Sequence, residues 1–268
     1  MTSYLNTAIN AAREAGDLQK RRYCTDFMIN HKGETDLVTE VDLASEELIV
    51  KSIRANHPGH DILAEENDYA ALCSGFTWII DPLDGTTNYA HGIPWFCVSI
   101  ALEIENVVTV GVIYHPMMEQ LFTVIRGEGA FLNGERLGVS SRSPLRQSLL
   151  ATGFPYDRAV DQDNNFDHFF KFQLGARAVR RFGAAALDLA YVATGRLDGF
   201  WESKLKPWDL AAGVLLVEEA GGTVTGYAGE PYDIRDGRIL ASNGRIHAEM
   251  LETLNDRATY SLLRNSEN

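Results

Sequence analysis

The chain has 268 residues, 45% of them hydrophobic and 23% charged, an ordinary globular composition with ample length to bury a core. Its 37 Asp and Glu against 24 Lys and Arg leave a formal charge of −13, which argues against nucleic acid as a partner, and no apolar run is long enough to cross a membrane. Three cysteines, Cys24, Cys73 and Cys97, are widely spaced and odd in number. They read as reduced thiols of a cytoplasmic protein, and Met1 to Lys20 lacks the uninterrupted apolar core of a signal peptide.

In chain order, Leu5, Ala8, Ile9, Ala12 and Ala15 fall at helical spacing and predict an amphipathic helix from about Tyr4 to Met28. A second helix is expected from about Val41 to Ala55, stopped by His57-Pro58-Gly59. Asp61-Ile62-Leu63-Ala64 reads as a short strand ending at Glu65-Glu66, and Thr77 to Ile80 as another. Phe96 to Glu103, Val107 to Tyr114 and Gln120 to Ile125 read as successive strands, with turns at Glu105-Asn106, His115-Pro116, Gly127-Glu128-Gly129 and Asn133-Gly134.

The second half alternates more. Leu149 to Thr152, Gly199 to Glu202, Thr223 to Thr225 and Arg238 to Ala241 read as strands. Phe166 to Leu174, Ala184 to Ala193, Leu210 to Ala220 and Arg245 to Leu254 read as helices. No repeat or low-complexity linker interrupts the chain. The expectation is one globular unit over 1–268, of two layered halves, roughly 1–143 and 144–268, with helices packed on sheets.

The stretch richest in chemistry is Asp81-Pro82-Leu83-Asp84-Gly85-Thr86-Thr87, expected where the Thr77 to Ile80 strand empties into a turn. Paired carboxylates with backbone oxygens suit a hard divalent cation, and a Gly-Thr-Thr run can offer backbone N–H groups to an anion. Asp-Pro-x-Asp-Gly is equally good turn chemistry, so both readings stand on the heptad alone. Other acids fall at element ends: Asp42 at the start of the second helix, Glu65-Glu66 after a strand, Glu202 after Asp198 to Trp201, and Asp209 opening the helix to Ala220. Asp42 and Asp209 also fit plain helix capping, and Glu65-Glu66 a solvated loop.

These blocks together resemble the inositol monophosphatase family. Trp78 to Thr87 resembles its first signature, and Trp208-Asp209-Leu210-Ala211-Ala212-Gly213 through Glu219-Ala220-Gly221-Gly222 its second. Asp36 to Asp42, Ala64-Glu65-Glu66 and Gly183 to Glu202 follow in the family's order, so the likeness runs from the first helix to about Leu254.

The resemblance implies an α+β layered fold, an αβαβα sandwich of the sugar-phosphatase type, with the site in a cleft between the halves. It implies that Glu65, Asp81, Asp84, Asp209 and the Leu83 carbonyl hold two or three Mg²⁺ ions. Oxygen-only ligation suits Mg²⁺, and two such ions about 3.5–4 Å apart can clamp both the attacking and the leaving oxygen. The catalytic residues implied are Thr86 and Asp42, which orient and deprotonate a water, with Glu65 helping through its metal. Gly85 and Thr86 N–H groups would hold phosphate. Gly183, Ala185, Glu202 and Asp209 would meet the alcohol portion of the substrate, Glu202 as a carboxylate on sugar hydroxyls.

Ala184 stands where many relatives carry Ser or Thr, which removes a possible hydroxyl contact. Glu66 is expected to orient metal waters. Lys32 near the same network, Arg180 and Arg181 beside the substrate, and Tyr156 with Asp157 along the pocket each have a plain surface reading too. His57, His60 and His91 are read as structural.

The implied function is Mg²⁺-dependent hydrolysis of myo-inositol monophosphate by a Li⁺-sensitive homodimer with a small phosphorylated sugar or polyol as substrate. Fructose-1,6-bisphosphatase, histidinol-phosphatase and nucleotide 3′-phosphatase share the metal core and remain rivals, as does a regulatory partner-binding protein with incidental phosphatase activity.

Overall fold

The computed structural model describes residues 1–26, 28–31 and 37–256. The expectations for Lys32 and Asp36 lie outside the described residues. Helix α1 (Thr2–Arg22) buries Ala8, Ala11, Ala12 and Ala15, the predicted face, and stops six residues before the predicted end. Strands β1 (Ile29–His31) and β2 (Leu37–Thr39) pair antiparallel and lead into α2 (Glu40–Asn56). Strands β3 (Asp61–Ala64) and β4 (Phe76–Asp84) follow, then α3 (Thr86–Ala90). An antiparallel run continues with β5 (Cys97–Ile104), β6 (Val107–His115), β7 (Gln120–Ile125), β8 (Gly129–Leu132) and β9 (Glu135–Arg136). The remainder is β10 (Leu149–Thr152), α4 (Phe166–Gly175), β11 (Ala178–Arg180), α5 (Ala185–Ala193), β12 (Gly199–Glu202), α6 (Pro207–Glu219), β13 (Thr223–Thr225), β14 (Ile239–Ser242) and α7 (His247–Asn255).

Strands β3 to β9 form a seven-stranded sheet in sequential order, and the second sheet is five-stranded in the order β11-β10-β12-β14-β13. Three apolar clusters define the layering. α1 and α2 bring Ala8, Ala12, Ile49 and Ile53 against Trp78, Ile80, Ile100 and Val112 on one face of the first sheet. Its other face, with Ile79, Ala101, Ile113 and Phe122, meets α5 and α6, whose far side covers Ala151, Phe200 and Ala241 of the second sheet. The outer face of that sheet, with Leu150, Trp201 and Leu240, is closed by Phe172 of α4 and Met250 and Leu254 of α7. The stacking is αβαβα.

The middle helices are apolar nearly all round, as a layer sandwiched between sheets requires. They also approach closely: a Cβ built on Gly213 would lie 2.6 Å from Leu189 Cδ1, so the α5–α6 contact needs glycine there. At an exposed position the same change would stabilise a helix by about 1 kcal/mol.

One expectation is corrected. The strand does not end at Ile80; β4 runs through Asp84, so the two aspartates lie inside the strand rather than in a turn beyond it. Asp81 pairs with Ser99 and Asp84 with Cys97, so the register shifts between them, a β-bulge. Pro82 sits in that bulge, where no ladder N–H is required, and its carbonyl instead accepts from Gln19 Nε2 of α1 at 2.7 Å. Gly127 and Asn133-Gly134 do mark turns, but the segments they bound, β8 and β9, extend the sheet by two short strands.

Candidate active site

The bulge re-aims the Asp81 and Asp84 carboxylates, and their neighbours follow from the sheet's pairing. β3 runs parallel to β4 with Ala64 opposite Ile80, and Glu65 N–H donates to Ile80 O at 3.2 Å, which sets Glu65 beside Asp81. Ser99, opposite Asp81 on the other side, donates its hydroxyl to Trp208 O at 3.2 Å. That contact ties the first turn of α6, and with it Asp209, to the same place. α5 arrives end-on: Ala186 N–H donates to Asp84 Oδ2 at 2.8 Å, so the positive end of the helix faces a carboxylate.

After Asp84 the chain turns at Gly85 with φ 100°, the left-handed region, and a Cβ there would stand 2.9 Å from Trp95 O. Thr86 then begins α3. Its Oγ1 lies 2.9 Å from Asp42 Oδ1 and 3.1 Å from Leu83 O, both acceptors, so its single proton is donated to one of them and its lone pairs remain to accept. Asp42, 1% exposed, receives Thr39 N–H at 2.9 Å and the Thr39 hydroxyl. Asp42 is thus both the expected helix-capping residue and the partner of Thr86. Burial pushes its carboxyl above the ordinary range, against the pull of Thr39 and Thr86.

A cavity of about 560 Å³ is lined by Glu65, Asp81, Leu83, Asp84, Gly85, Thr86, Gly183, Ala185, Glu202 and Asp209. Every implied metal ligand, catalytic residue and substrate contact therefore faces it except Asp42, which is bonded to Thr86. Both sheets contribute. Glu66 is not among the lining residues. Its N–H donates at 2.9 Å to Glu46, which also receives Asn67 and Tyr69. His91 is exposed at the end of α3, while His57 and His60 stack with each other and with Trp78, and Tyr4 tilts against them, away from the cavity.

The carboxylates raise one another. Burial pushes Asp81 well above the carboxylate range, and the charges of Glu65, Asp84 and Asp209 push it further. Asp84 is pushed up to about 7 by burial, with the Ala186 and Ala185 N–H groups pulling back. Glu202 is pushed up to about 8 by burial, then by Asp209, with Arg181 opposing. Such a set of acids, with oxygen donors and no imidazole or thiolate in the lining, fits a hard divalent cation, which would relieve the mutual repulsion. Among the described residues no three acids are already drawn into a closed ligand cage.

Several lining residues escaped the sequence reading, among them Thr152, Gly153, Asp188, Ser203 and Lys204. Gly153 leaves room for Glu202, whose carboxylate occupies the space a Cβ there would take. Lys204 is paired at 2.8 Å with Asp157 and at 2.7 Å with Asp161 on the rim. Arg180 and Arg181 are both exposed, and of the two only Arg181 lines the cavity. Asp188 had a signal: it is the one charged residue in the apolar run Ala185 to Ala193.

Comparison with known proteins finds relatives over nearly the whole chain. The model of the inositol monophosphatase family matches residues 1–259. An inositol-1-monophosphatase from Synechocystis is 48% identical over 84% of this chain and 79% of its own. A protein named Nus factor SuhB from Pseudomonas aeruginosa is 44% identical over 98% of this chain and 100% of its own. The solved structure of an inositol monophosphatase from Anabaena superposes with a TM-score of 0.86 at 46% identity, covering 94% of this chain and 95% of that one.

Proposed function

The chain belongs to the inositol monophosphatase family, and from that premise we propose that it is a Mg²⁺-dependent phosphomonoesterase hydrolysing myo-inositol monophosphate to inositol and inorganic phosphate. The observation that carries the proposal is the single cavity faced by Glu65, Asp81, Asp84, Asp209, Thr86 and Glu202. Held by Glu65, Asp81, Asp84, Asp209 and the Leu83 carbonyl, two or three Mg²⁺ ions would supply positive charge to phosphate oxygens and acidify a water.

The chain's own residues do the rest. Thr86 donates to Asp42 and accepts from the attacking water, which fixes the water's lone pair toward phosphorus. The proton moves toward the Thr86–Asp42 pair, and burial of Asp42 raises its appetite for it. Backbone N–H groups of Gly85 and Thr86 hold the phosphate. Glu202, with Gly183 and Ala185, receives the alcohol portion. A homodimer, Li⁺ sensitivity and a cytoplasmic location complete the reading; among the described residues no helix is long and apolar enough to cross a membrane.

Phosphate release from inositol 1-phosphate, fructose 1,6-bisphosphate, histidinol phosphate and 3′-nucleotides, with Mg²⁺, with chelator and with Li⁺, tests the reading. Inositol phosphate should be preferred, and Glu202→Gln should erode that preference. A far better rival ester, together with inositol turnover indifferent to Glu202→Gln, would sink the substrate assignment. The relative named Nus factor SuhB supports a second reading, a regulatory protein acting through a partner. Asp209→Asn should abolish Mg²⁺-dependent phosphate release, and a cellular phenotype that survives it would favour the partner-binding role.

A further inference from the structure

Asp188 sits one turn into α5, its N–H bonded at 3.0 Å to Ala184 O. A residue at i+4 shares a helix face with residue i, and helical side chains lean toward the N-terminus. Asp188 is accordingly carried over Ala184 into the cavity wall. It is 1% exposed, and its Oδ1 has no hydrogen-bond partner. The methyl of Ala184 has nothing polar to offer it. The charged groups that act on Asp188 are Glu202, Asp84 and Arg181, two acids and one base.

A buried carboxylate oxygen left unpaired is costly, and such groups in native proteins ordinarily have partners. Ser203, next to Glu202, repeats the pattern: it lines the same cavity, is 2% exposed, and its Oγ has no partner. Two unsatisfied polar groups thus flank Glu202 in a cavity where Asp81, Asp84 and Asp209 each accept a backbone N–H group.

We propose that Asp188 is a specificity-determining residue, its unpartnered oxygen receiving a ring hydroxyl of the substrate's alcohol portion beside the hydroxyl taken by Glu202. The proposal rests on the phosphomonoesterase reading and deepens it: the pocket selects a polyol with adjacent hydroxyls, not merely any phosphate ester. Ser203 serves the same ligand as donor or acceptor.

The test compares inositol 1-phosphate with phenyl phosphate, which carries the scissile group but no hydroxyl, in wild type, Asp188→Ala and Asp188→Asn. For Asp188→Ala, KM for inositol 1-phosphate should rise about tenfold or more while kcat moves little, so the ratio of kcat/KM between the two esters falls by about tenfold. The melting temperature of Asp188→Asn should equal or exceed that of wild type, because the amide keeps the shape and carries no ionised form that burial would penalise. An unchanged ester ratio, or an equal loss on both esters with a lowered melting temperature, overturns the assignment and leaves Asp188 a packing residue. If wild type prefers another hydroxylated ester, the inositol reading fails, and the Asp188 comparison is then made with that ester against phenyl phosphate. A wild type with no preference for hydroxylated esters overturns both.

Discussion

On β4 and at the start of α6, acids of the cavity are held by backbone amides: Asp81 by Leu83 at 3.0 Å, Asp84 by Ala186 of α5 at 2.8 Å and Asp209 by Lys206 at 2.7 Å. Asp42 behind them is held by Thr39 at 2.9 Å. Within α5 and just after β12, Asp188 leaves an oxygen unpaired, as Ser203 leaves its hydroxyl. The first arrangement fixes direction: one oxygen is tied so that the other holds a set bearing, as a metal and an in-line attack demand. The second keeps hydrogen-bonding capacity in reserve, as a site for hydroxyl groups demands. One cavity thus separates the part that must be rigid from the part that must choose.

The largest effect should come from breaking the rigid end. Asp81→Asn should lower phosphate release at least about a hundredfold, the scale on which one preorganised electrostatic contact matters. It should also uncouple stability from Mg²⁺. At about 100 times Kd, Mg²⁺ should stabilise wild type by about 2.7 kcal/mol, some 5–10 °C in melting temperature for a chain of this size. A variant that melts at the same temperature with and without chelator, beside a wild type that does not, would bear out the ligand role of Asp81. An equal Mg²⁺ response in both would remove it.

Thr86 comes next. Thr86→Ala should lower kcat by about 10²–10⁴ with KM little changed, and Thr86→Ser, which keeps the oxygen, should remain within about tenfold of wild type. Equal losses in the two variants would mean that the methyl packing, and not the hydroxyl bonded to Asp42, is what the site requires.

Much of this was legible in the chain, for physical reasons that vary by element. Asp61–Ala64, Gln120–Ile125 and Leu149–Thr152 stand where their apolar runs and flanking turns put them, because a strand buried in a layered sheet is written as such a run. The heptad misled in one respect. Pro82 and Gly85 signal a turn, yet the pairing with Ser99 and Cys97 carries the strand past the proline through a bulge, a tertiary outcome no local propensity contains. The strands β1, β2, β8, β9 and β11, of two to four residues each, are set by pairing with their neighbours in the folded sheets and not by a local period. The ligand candidates were recoverable because carboxylates at element ends are visible one by one. Asp188 was not recovered, since a single acid in an apolar helix declares its isolation but not which cavity it enters.

His115 supplies the control for the unpaired end, at a smaller scale. Like Asp188 it is buried, 0% exposed, with both ring nitrogens unpartnered, but it lies against Trp95 and Phe96 and not on the cavity wall. Burial lowers its pKa to about 4 from the ordinary 6.5. Above pH 6.5 the imidazole is neutral in the folded and the unfolded chain alike and has no effect on the pH dependence. Between pH 6.5 and 4 the unfolded chain takes up a proton that the folded one refuses, so stability falls with falling pH, by at most about 3 kcal/mol. His115→Phe, which suits the aromatic surroundings, should flatten that part of the stability–pH curve in denaturant titrations and leave phosphate release unchanged. An unpaired polar group outside the cavity would then cost stability alone, whereas Asp188 trades the same cost for substrate choice. Should His115→Phe instead alter the ratio between inositol 1-phosphate and phenyl phosphate, unpaired burial by itself would no longer distinguish the hydroxyl end of the cavity from the rest of the core.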